Sequence, residues 1–411
     1  MTIASPSGTK ASNYDPAAIR RGGIVAAVIA LFFGLISGAR MPNIWSMTHF
    51  LFDYEHGFIK RAMFGSFLGL FADSFSYYTL ATIAYALFAT SVVLLFTITA
   101  LSARAVPLIW FVLASFCVSQ GFIYFAHTVG YFDHIGLIIC CLCIFIPVSL
   151  IGTLWRFALC GILILVHEGL FLFVFPIIVF DAMFKTELAP RGKPAARAMT
   201  GIMVLSTTAL TFAIGQTALD HTNFSDVSSY LADRAVDFAP REDSIKVLFR
   251  DALVNKGLMA GIWAKGVNAG FLKGLLLCLP YALGMAALAV WGIVHSDAQK
   301  KGLIIFVAIA AVVTPISVVI LAWDFARFSA QMQTAAILLV LSVFFNVRHT
   351  MPPLLPIWLI VMLLIVTIYT ATGTSDLFDG YHMLRPPFTD FLKSIVSLAY
   401  GRPNGFDIPD A

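Results

Sequence analysis

The stretch Arg156–Phe180, RFALCGILILVHEGLFLFVFPIIVF, decides how this chain is folded. It is apolar except for the arginine at its start and a His-Glu pair near its middle, and a basic segment, 185–197, follows it. Short basic segments between apolar ones stay in the cytoplasm. Arg156 fits the same side, so the stretch is predicted to cross outward and return as a short hairpin. His167 and Glu168 then lie at the tip of that hairpin.

The composition of the whole chain is that of a membrane protein. Of its 411 residues, 60% are hydrophobic and 12% are charged, and the mean hydropathy is +0.90. Soluble domains carry about 25% charged residues. Apolar runs near 20 residues recur along the chain, which predicts an all-α, polytopic helical membrane protein with about 11 spans. No nucleic-acid partner is expected.

The span count assigns each polar segment to a side of the membrane. The predicted spans, including the two arms of the hairpin, are 24–45, 76–101, 106–125, 135–151, 157–167, 169–184, 198–217, 272–294, 302–321, 331–346 and 354–371. The predicted domains are a cytoplasmic tail at 1–22, an integral membrane domain at 23–371 with an extracytoplasmic loop at 218–271, and an extracytoplasmic tail at 372–411 with an interfacial helix. The N-terminus is then cytoplasmic.

The unusual charged motifs all fall on the extracytoplasmic face in this topology. They are FDYEHGFIKR (52–61), HTVGYFDH (127–134), the His-Glu pair of the hairpin, the 218–271 loop and WDFARF (323–328). The basic segments alone determine which side of the membrane each segment lies on. The placement of all these motifs on one face is therefore independent of the motifs themselves. It indicates one shared site at the outer rim of a helical bundle.

The candidate site residues are carboxylates that accept protons and basic groups that hold anions. The candidate catalytic acids are Asp53, Glu55 and Glu168, and the candidate substrate-binding residues are His56, Lys60, Arg61, Asp133, His134, His167, Asp324 and Arg327. A helical interpretation of the first motif puts Asp53, His56 and Lys60 on one face. No metal site is predicted, since HEGLF lacks the second histidine of the zinc motif H-E-x-x-H. No cofactor is expected, and the sequence leaves open whether the site binds a divalent cation.

Each motif also has an interpretation without chemistry. Lys60 and Arg61 can anchor a helix end at the membrane surface. Asp133 can cap a helix or orient the neighbouring histidine, and Arg327 can pair with Asp324. Charged side chains are expensive to bury in a membrane, which favours a functional interpretation for these residues.

The motifs DYEHGFIKRAMFG, FDHIG, HEGLF and DFARF together resemble those of bacterial exopolysaccharide or O-antigen polymerases and, more broadly, GT-C class glycosyltransferases. The resemblance covers about 52–328. It implies a GT-C-like fold, a bacterial inner membrane and a catalytic acid in the first extracytoplasmic loop, where Asp53 and Glu55 stand. The adjacent acidic pair common in that class is absent here. The large soluble domain of some members is absent too, which favours a compact polymerase.

The predicted function is sugar transfer from a polyprenyl-diphosphate-linked oligosaccharide on the extracytoplasmic face. The expected partners are that donor, membrane lipids, and proteins of polysaccharide export and chain-length control. A transporter or flippase for a charged or lipid-linked solute is the alternative. Such sites lie near the bilayer midplane between repeats, whereas this sequence shows no paired halves. A non-catalytic partner in polysaccharide export is a third interpretation.

Overall fold

A computed structural model of the chain describes residues 15–104, 106–189, 193–264, 269–320, 325–347 and 355–373. Within these ranges the elements are helices, apart from an isolated β-bridge between Phe75 and Ala235. The α-helices are α1 (Pro16–Gly38), α2 (Ile44–His49), α3 (Ala62–Gly69), α4 (Tyr77–Ser102), α5 (Ile109–Cys117), α6 (Gln120–His127), α7 (Asp133–Phe145), α8 (Leu150–Val166), α9 (Leu170–Phe173), α10 (Phe175–Leu188), α11 (Lys193–Gly215), α12 (Phe224–Arg234), α13 (Glu242–Ile245), α14 (Ala252–Trp263), α15 (Ala269–Val294), α16 (Lys301–Val313), α17 (Phe325–Val347) and α18 (Ile357–Thr372). The all-α prediction is confirmed for this part of the chain.

Six helices are long and apolar enough to cross a membrane, namely α1, α4, α11, α15, α16 with the 3₁₀ turn that follows it, and α17. The pair α5 and α6, bent by 56°, makes a seventh if it counts as one span. Helices α7, α8 and α18 are apolar but shorter. These helices indicate a multi-pass membrane protein. The predicted count of about 11 spans is not confirmed.

The chain reverses direction between Arg156 and Asp181. Nη2 of Arg156 lies 3.2 Å from Oδ2 of Asp181, and His167 and Glu168 stand between α8 and α9, about midway. The predicted first arm, 157–167, is too short, because α8 begins earlier and its 17 residues rise about 26 Å. Arg156 is therefore inside a helix. Its guanidinium group is buried against Asp181 and against carbonyl groups at the end of α7.

A buried carboxylate ties the helices together at the end of the bundle where α7 ends and α8 begins. Asp181 also pairs with Lys185 at 2.8 Å and accepts a 2.8 Å hydrogen bond from Ser342 of α17. Lys185 donates to the carbonyl of Ile144, which stabilises the C-terminus of α7. Buried charges are tolerated when they are paired and hydrogen-bonded in this way. The cluster joins α8, α10 and α17.

Helix α17 is the central element of the bundle. In its most apolar stretch of 18 residues, within Arg327–Val347, 89% of the residues are buried inside the protein. The helix packs against α15, α6, α10 and α4. Its buried Gln333 accepts a 2.7 Å hydrogen bond from the amide of Gly121. The first turn of α17 carries Arg327 at the end of the bundle where α6 leads into α7. We call this the site end.

The segment between α11 and α15 forms a helical cap on the site end. The amide of Arg241 donates to Thr48 Oγ1 at 2.9 Å, and Ser244 Oγ donates to the carbonyl of Trp45 at 3.0 Å. Helix α13 of this cap therefore rests on α2. The predicted interfacial helix of the 372–411 tail lies outside the described residues.

Candidate functional site

The loop Phe52–Arg61 is irregular. Arg61 has a φ of 64° at the start of α3, a left-handed conformation that costs about 1–2 kcal/mol for a residue with a Cβ atom. The loop shows turns and bends instead of helical hydrogen bonding. The predicted helical face shared by Asp53, His56 and Lys60 is therefore wrong. Strain of this kind at a charged residue often accompanies a functional site.

Arg61 and Glu168 form a two-point ion pair between the loop and the tip of the hairpin. Nη2 of Arg61 lies 2.8 Å from Oε1 of Glu168, and Nε lies 3.2 Å from both carboxylate oxygens. Burial raises the pKa of Glu168, but the charge of Arg61 and the hydrogen bonds from its guanidinium group outweigh it. The pKa of Glu168 is thus held well below its usual range. This carboxylate stays ionised.

Asp133 and Arg327 form a second, more deeply buried pair. Nη2 of Arg327 lies 2.7 Å from Oδ1 of Asp133, and Nε lies 3.0 Å from Oδ2. Gln331 donates to the same carboxylate at 3.0 Å, and the guanidinium lies over the ring of Tyr131 at 4.7 Å. Asp133 is the first residue of α7, whose N-cap is Phe132. Asp133 is therefore an ion-pair partner and does not cap the helix.

Two of the three histidines predicted to bind substrate, His167 and His134, have different surroundings. His167 lies near both ion pairs: burial and the charge of Arg61 lower its pKa to about 3, while the charge of Glu168 opposes them. It is neutral at ordinary pH. Both ring nitrogens of His134 lie 3.0 Å from backbone carbonyls, those of Tyr131 and Phe125. His134 is held by the backbone, and its predicted pairing with Asp133 does not occur.

Asp53 is bound to the cap. It pairs with Arg234 of α12 and accepts a 2.6 Å hydrogen bond from the hydroxyl of Tyr230. Glu55 is exposed on the loop. His56 packs edge-on against Tyr230 with a centroid distance of 5.0 Å. Asp53 and His56 therefore contact the cap, whereas Glu55 does not.

Lys60 is buried, with 3% of its surface exposed. Its ammonium group donates to the carbonyl of Arg250 in the cap, and burial lowers its pKa to about 8 despite the opposing charge of Glu168. Among the described residues it has no carboxylate within ion-pair distance. The predicted site residue Asp324 lies outside the described residues.

The charged cluster carries an excess of positive charge. Its members are Asp53, Lys60, Arg61, Asp133, Glu168, Arg234 and Arg327. Three arginine–carboxylate pairs are neutral, and the lysine adds one cation when it is protonated. Such a group, partly removed from water, favours an anionic ligand.

Several residues of this site have no clear signal in the sequence. Arg234 and Tyr230 lie in a segment of mixed charge that predicts only a solvated cap. His49 precedes the first motif and is buried beside the ion pairs. Its spacing of four from Trp45 places the two rings 4.0 Å apart, and this helical spacing is the one signal that could have drawn attention to it.

Within the described ranges, no group of three or more His, Cys, Asp or Glu side chains is arranged to hold a metal ion. The chain matches no protein-family model, and no curated protein or solved structure matches it.

Proposed function

We propose that this protein is a membrane glycosyltransferase that acts on polyprenyl-diphosphate-linked sugars at the extracytoplasmic face, as a polysaccharide polymerase in a bacterial inner membrane. One observation carries the proposal. Charged motifs from the first loop, the start of α7, the hairpin tip and the start of α17 meet at one end of the bundle, with an excess of positive charge. A diphosphate on a lipid tail suits a cationic group at the rim of an apolar bundle.

The arginines suit the diphosphate. Arg61 and Arg327 present planar guanidinium groups, each already engaged with a carboxylate through two nitrogens, and phosphate oxygens match the same geometry. Lys60 adds the unpaired charge. These groups would bind the donor and stabilise the negative charge that builds up on the departing diphosphate.

Aromatic rings beside the ion pairs suit a sugar. Trp45 and Tyr131 stack at a centroid distance of 5.3 Å and an angle of 21°, and both are half-buried. A pyranose presents a face of C–H groups, which carry partial positive charge and pack against the negative face of an aromatic ring. A site that bound only free phosphate would not require this aromatic surface.

Deleting the gene from the bacterium that carries it tests the proposal. The deletion strain is expected to lose polymer and accumulate single lipid-linked repeats on the outer face of the membrane. Wild-type protein and Arg241→Ala, whose side chain is 52% exposed in the cap, should restore polymer, whereas Arg61→Ala should not. Unchanged polymer in the deletion strain would contradict the proposal. Repeats held on the cytoplasmic face would instead indicate a flippase.

A further inference from the structure

His49 is a buried histidine whose ring nitrogen has no partner. It is the last residue of α2, only 3% of its surface is exposed, and Nε2 makes no hydrogen bond in the described structure. The ring is held between Trp45 and Phe52, with centroid distances of 4.0 and 5.0 Å. Native structures leave few buried polar atoms unsatisfied, so each one requires an explanation.

The charges that act on His49 are those of the proposed site. They belong to Arg61 of the loop, Glu168 of the hairpin tip and Arg327 of α17. The ring of Phe132 lies between the imidazole and the hairpin tip, with centroid distances of 6.4 Å to His49 and 6.3 Å to His167. A ligand bound by the two arginines therefore lies near the imidazole. A hydrogen bond from that ligand would explain why Nε2 has no partner within the protein.

The carboxylates of the site are poorly suited to take a proton. Glu168 is held by Arg61 and Asp133 by Arg327, and a carboxylate in such a pair is a weak base. Asp53 already accepts hydrogen bonds from Arg234 and Tyr230. Glu55 is exposed on the loop. The neutral imidazole of His49 offers an open lone pair at Nε2, whereas all three carboxylates already accept hydrogen bonds from arginine side chains.

We propose that Nε2 of His49 accepts the proton of the attacking hydroxyl group during glycosyl transfer, an inference that rests on the proposed function. The acceptor oxygen forms a bond to the anomeric carbon of the donor. The bond between that carbon and the diphosphate oxygen breaks, and its electron pair leaves with the diphosphate. The hydroxyl proton moves to the imidazole, which later releases it to water. His49 would then be a catalytic residue.

The empty site keeps this imidazole neutral. Burial and the charge of Arg61 lower the pKa of His49 well below 6.5. A bound diphosphate brings several negative charges close to Arg61, which favours the protonated imidazole and raises that pKa. His49 thus becomes a stronger base when the donor is present, which couples proton transfer to donor binding.

The test uses membrane vesicles from the deletion strain, which hold the accumulated lipid-linked donor, and purified full-length protein added to them. His49→Ala is expected to lower the rate of polymer formation roughly 10²–10⁴-fold. Added imidazole and 4-methylimidazole should restore part of the rate, with more rescue from the stronger base. His49→Gln, which keeps polar atoms but offers no base, should be as slow as His49→Ala without added imidazole.

His295→Ala is the matched control. His295 also follows a tryptophan by four positions, with a centroid distance of 4.6 Å to Trp291, but it lies at the other end of the bundle, where α15 ends. The rate of polymer formation by His295→Ala should equal that of wild-type protein, with or without added imidazole. Binding of geranylgeranyl diphosphate by each purified variant reports whether the site is folded, and wild-type affinity is expected for His49→Gln.

The outcomes separate the two proposals. Wild-type protein that makes no polymer in these vesicles overturns the proposed function, and the role of His49 with it. Active wild-type protein together with a near-normal rate for His49→Gln overturns the role of His49 alone. A slow His49→Ala that binds geranylgeranyl diphosphate normally but gains nothing from either imidazole also overturns proton transfer, because a small base that fits the vacated space should replace the side chain.

Discussion

Arg61 combines backbone strain with a specific side-chain contact, and the two can be measured separately. Arg61→Ala and Arg61→Gly both remove the guanidinium group, but only glycine adopts a φ of 64° without a steric penalty. The glycine variant should therefore be more stable than the alanine variant by about 1 kcal/mol. Thermal unfolding of both proteins in the same detergent checks this difference. Equal stability would show that residue 61 is not held in the left-handed conformation.

The lowered pKa of Lys60 predicts how anion binding depends on pH. Its pKa is lowered to about 8, so it is charged below that pH and neutral above it. Affinity for a diphosphate should be highest near pH 7 and should fall as the pH rises through about 8, because the excess cation of the cluster is lost. In Lys60→Arg the charge persists above pH 12, and the fall should disappear. Identical profiles for the two proteins would exclude Lys60 from binding.

At the scale of elements, the Asp133–Arg327 pair joins α7 to α17. Both side chains are buried, so removing one partner leaves an uncompensated charge and should destabilise the protein by roughly 3 kcal/mol or more. Arg327→Met and Asp133→Leu should each show this loss. The double variant should lose much less than the sum of the single losses, because neither charge remains. Additive losses in denaturant unfolding would mean that the two residues do not interact.

The elements themselves follow the sequence closely where hydrophobicity decides them. Most segments predicted as spans overlap apolar helices, although only six of the described helices are long enough to cross a membrane, or seven if α5 and α6 count as one span. The predicted reversal of the chain between Arg156 and Asp181 is also present. The start of α8 is missed, because Arg156 signals a loop in the sequence but is neutralised by a carboxylate 25 positions away. The loop 52–61 is missed for a related reason. Its spacing suits a helix, whereas its conformation is set by contacts with the hairpin and the cap.

The whole molecule has a topology that cysteine labelling can test. Ser225 lies in the cap and Ala195 near the start of α11, and both are exposed. The six native cysteines are all buried, so unmodified protein supplies a low background. In intact cells a membrane-impermeant maleimide should label Ser225→Cys, whereas Ala195→Cys should react only after the cells are opened. The reverse pattern would place the charged cluster in the cytoplasm, away from an extracytoplasmic substrate.

The site was predictable in part from the sequence. The sequence analysis grouped Arg61, Glu168, Asp133 and Arg327 because it placed their motifs on one side of the membrane. That placement needs only the positions of the apolar segments and of the basic loops. The pairing among them was not predictable, since it depends on how helices rotate and pack. Asp53 was expected to act on substrate, yet its partner Arg234 lies 181 positions away in a cap without motifs. A single sequence gives no signal for such a contact.

Binding of a polyprenyl diphosphate to the purified protein tests the central claim most directly. Wild-type protein and Arg241→Ala in lipid nanodiscs should bind the diphosphate with equal affinity, and more tightly than the corresponding polyprenyl monophosphate. Arg61→Ala and Arg327→Ala should each lose roughly 10- to 100-fold in affinity, as expected for a charged hydrogen-bond donor worth about 1.5–3 kcal/mol. If wild-type protein, Arg61→Ala and Arg327→Ala bind the diphosphate equally, or none of them binds it, the charged cluster is not the donor site.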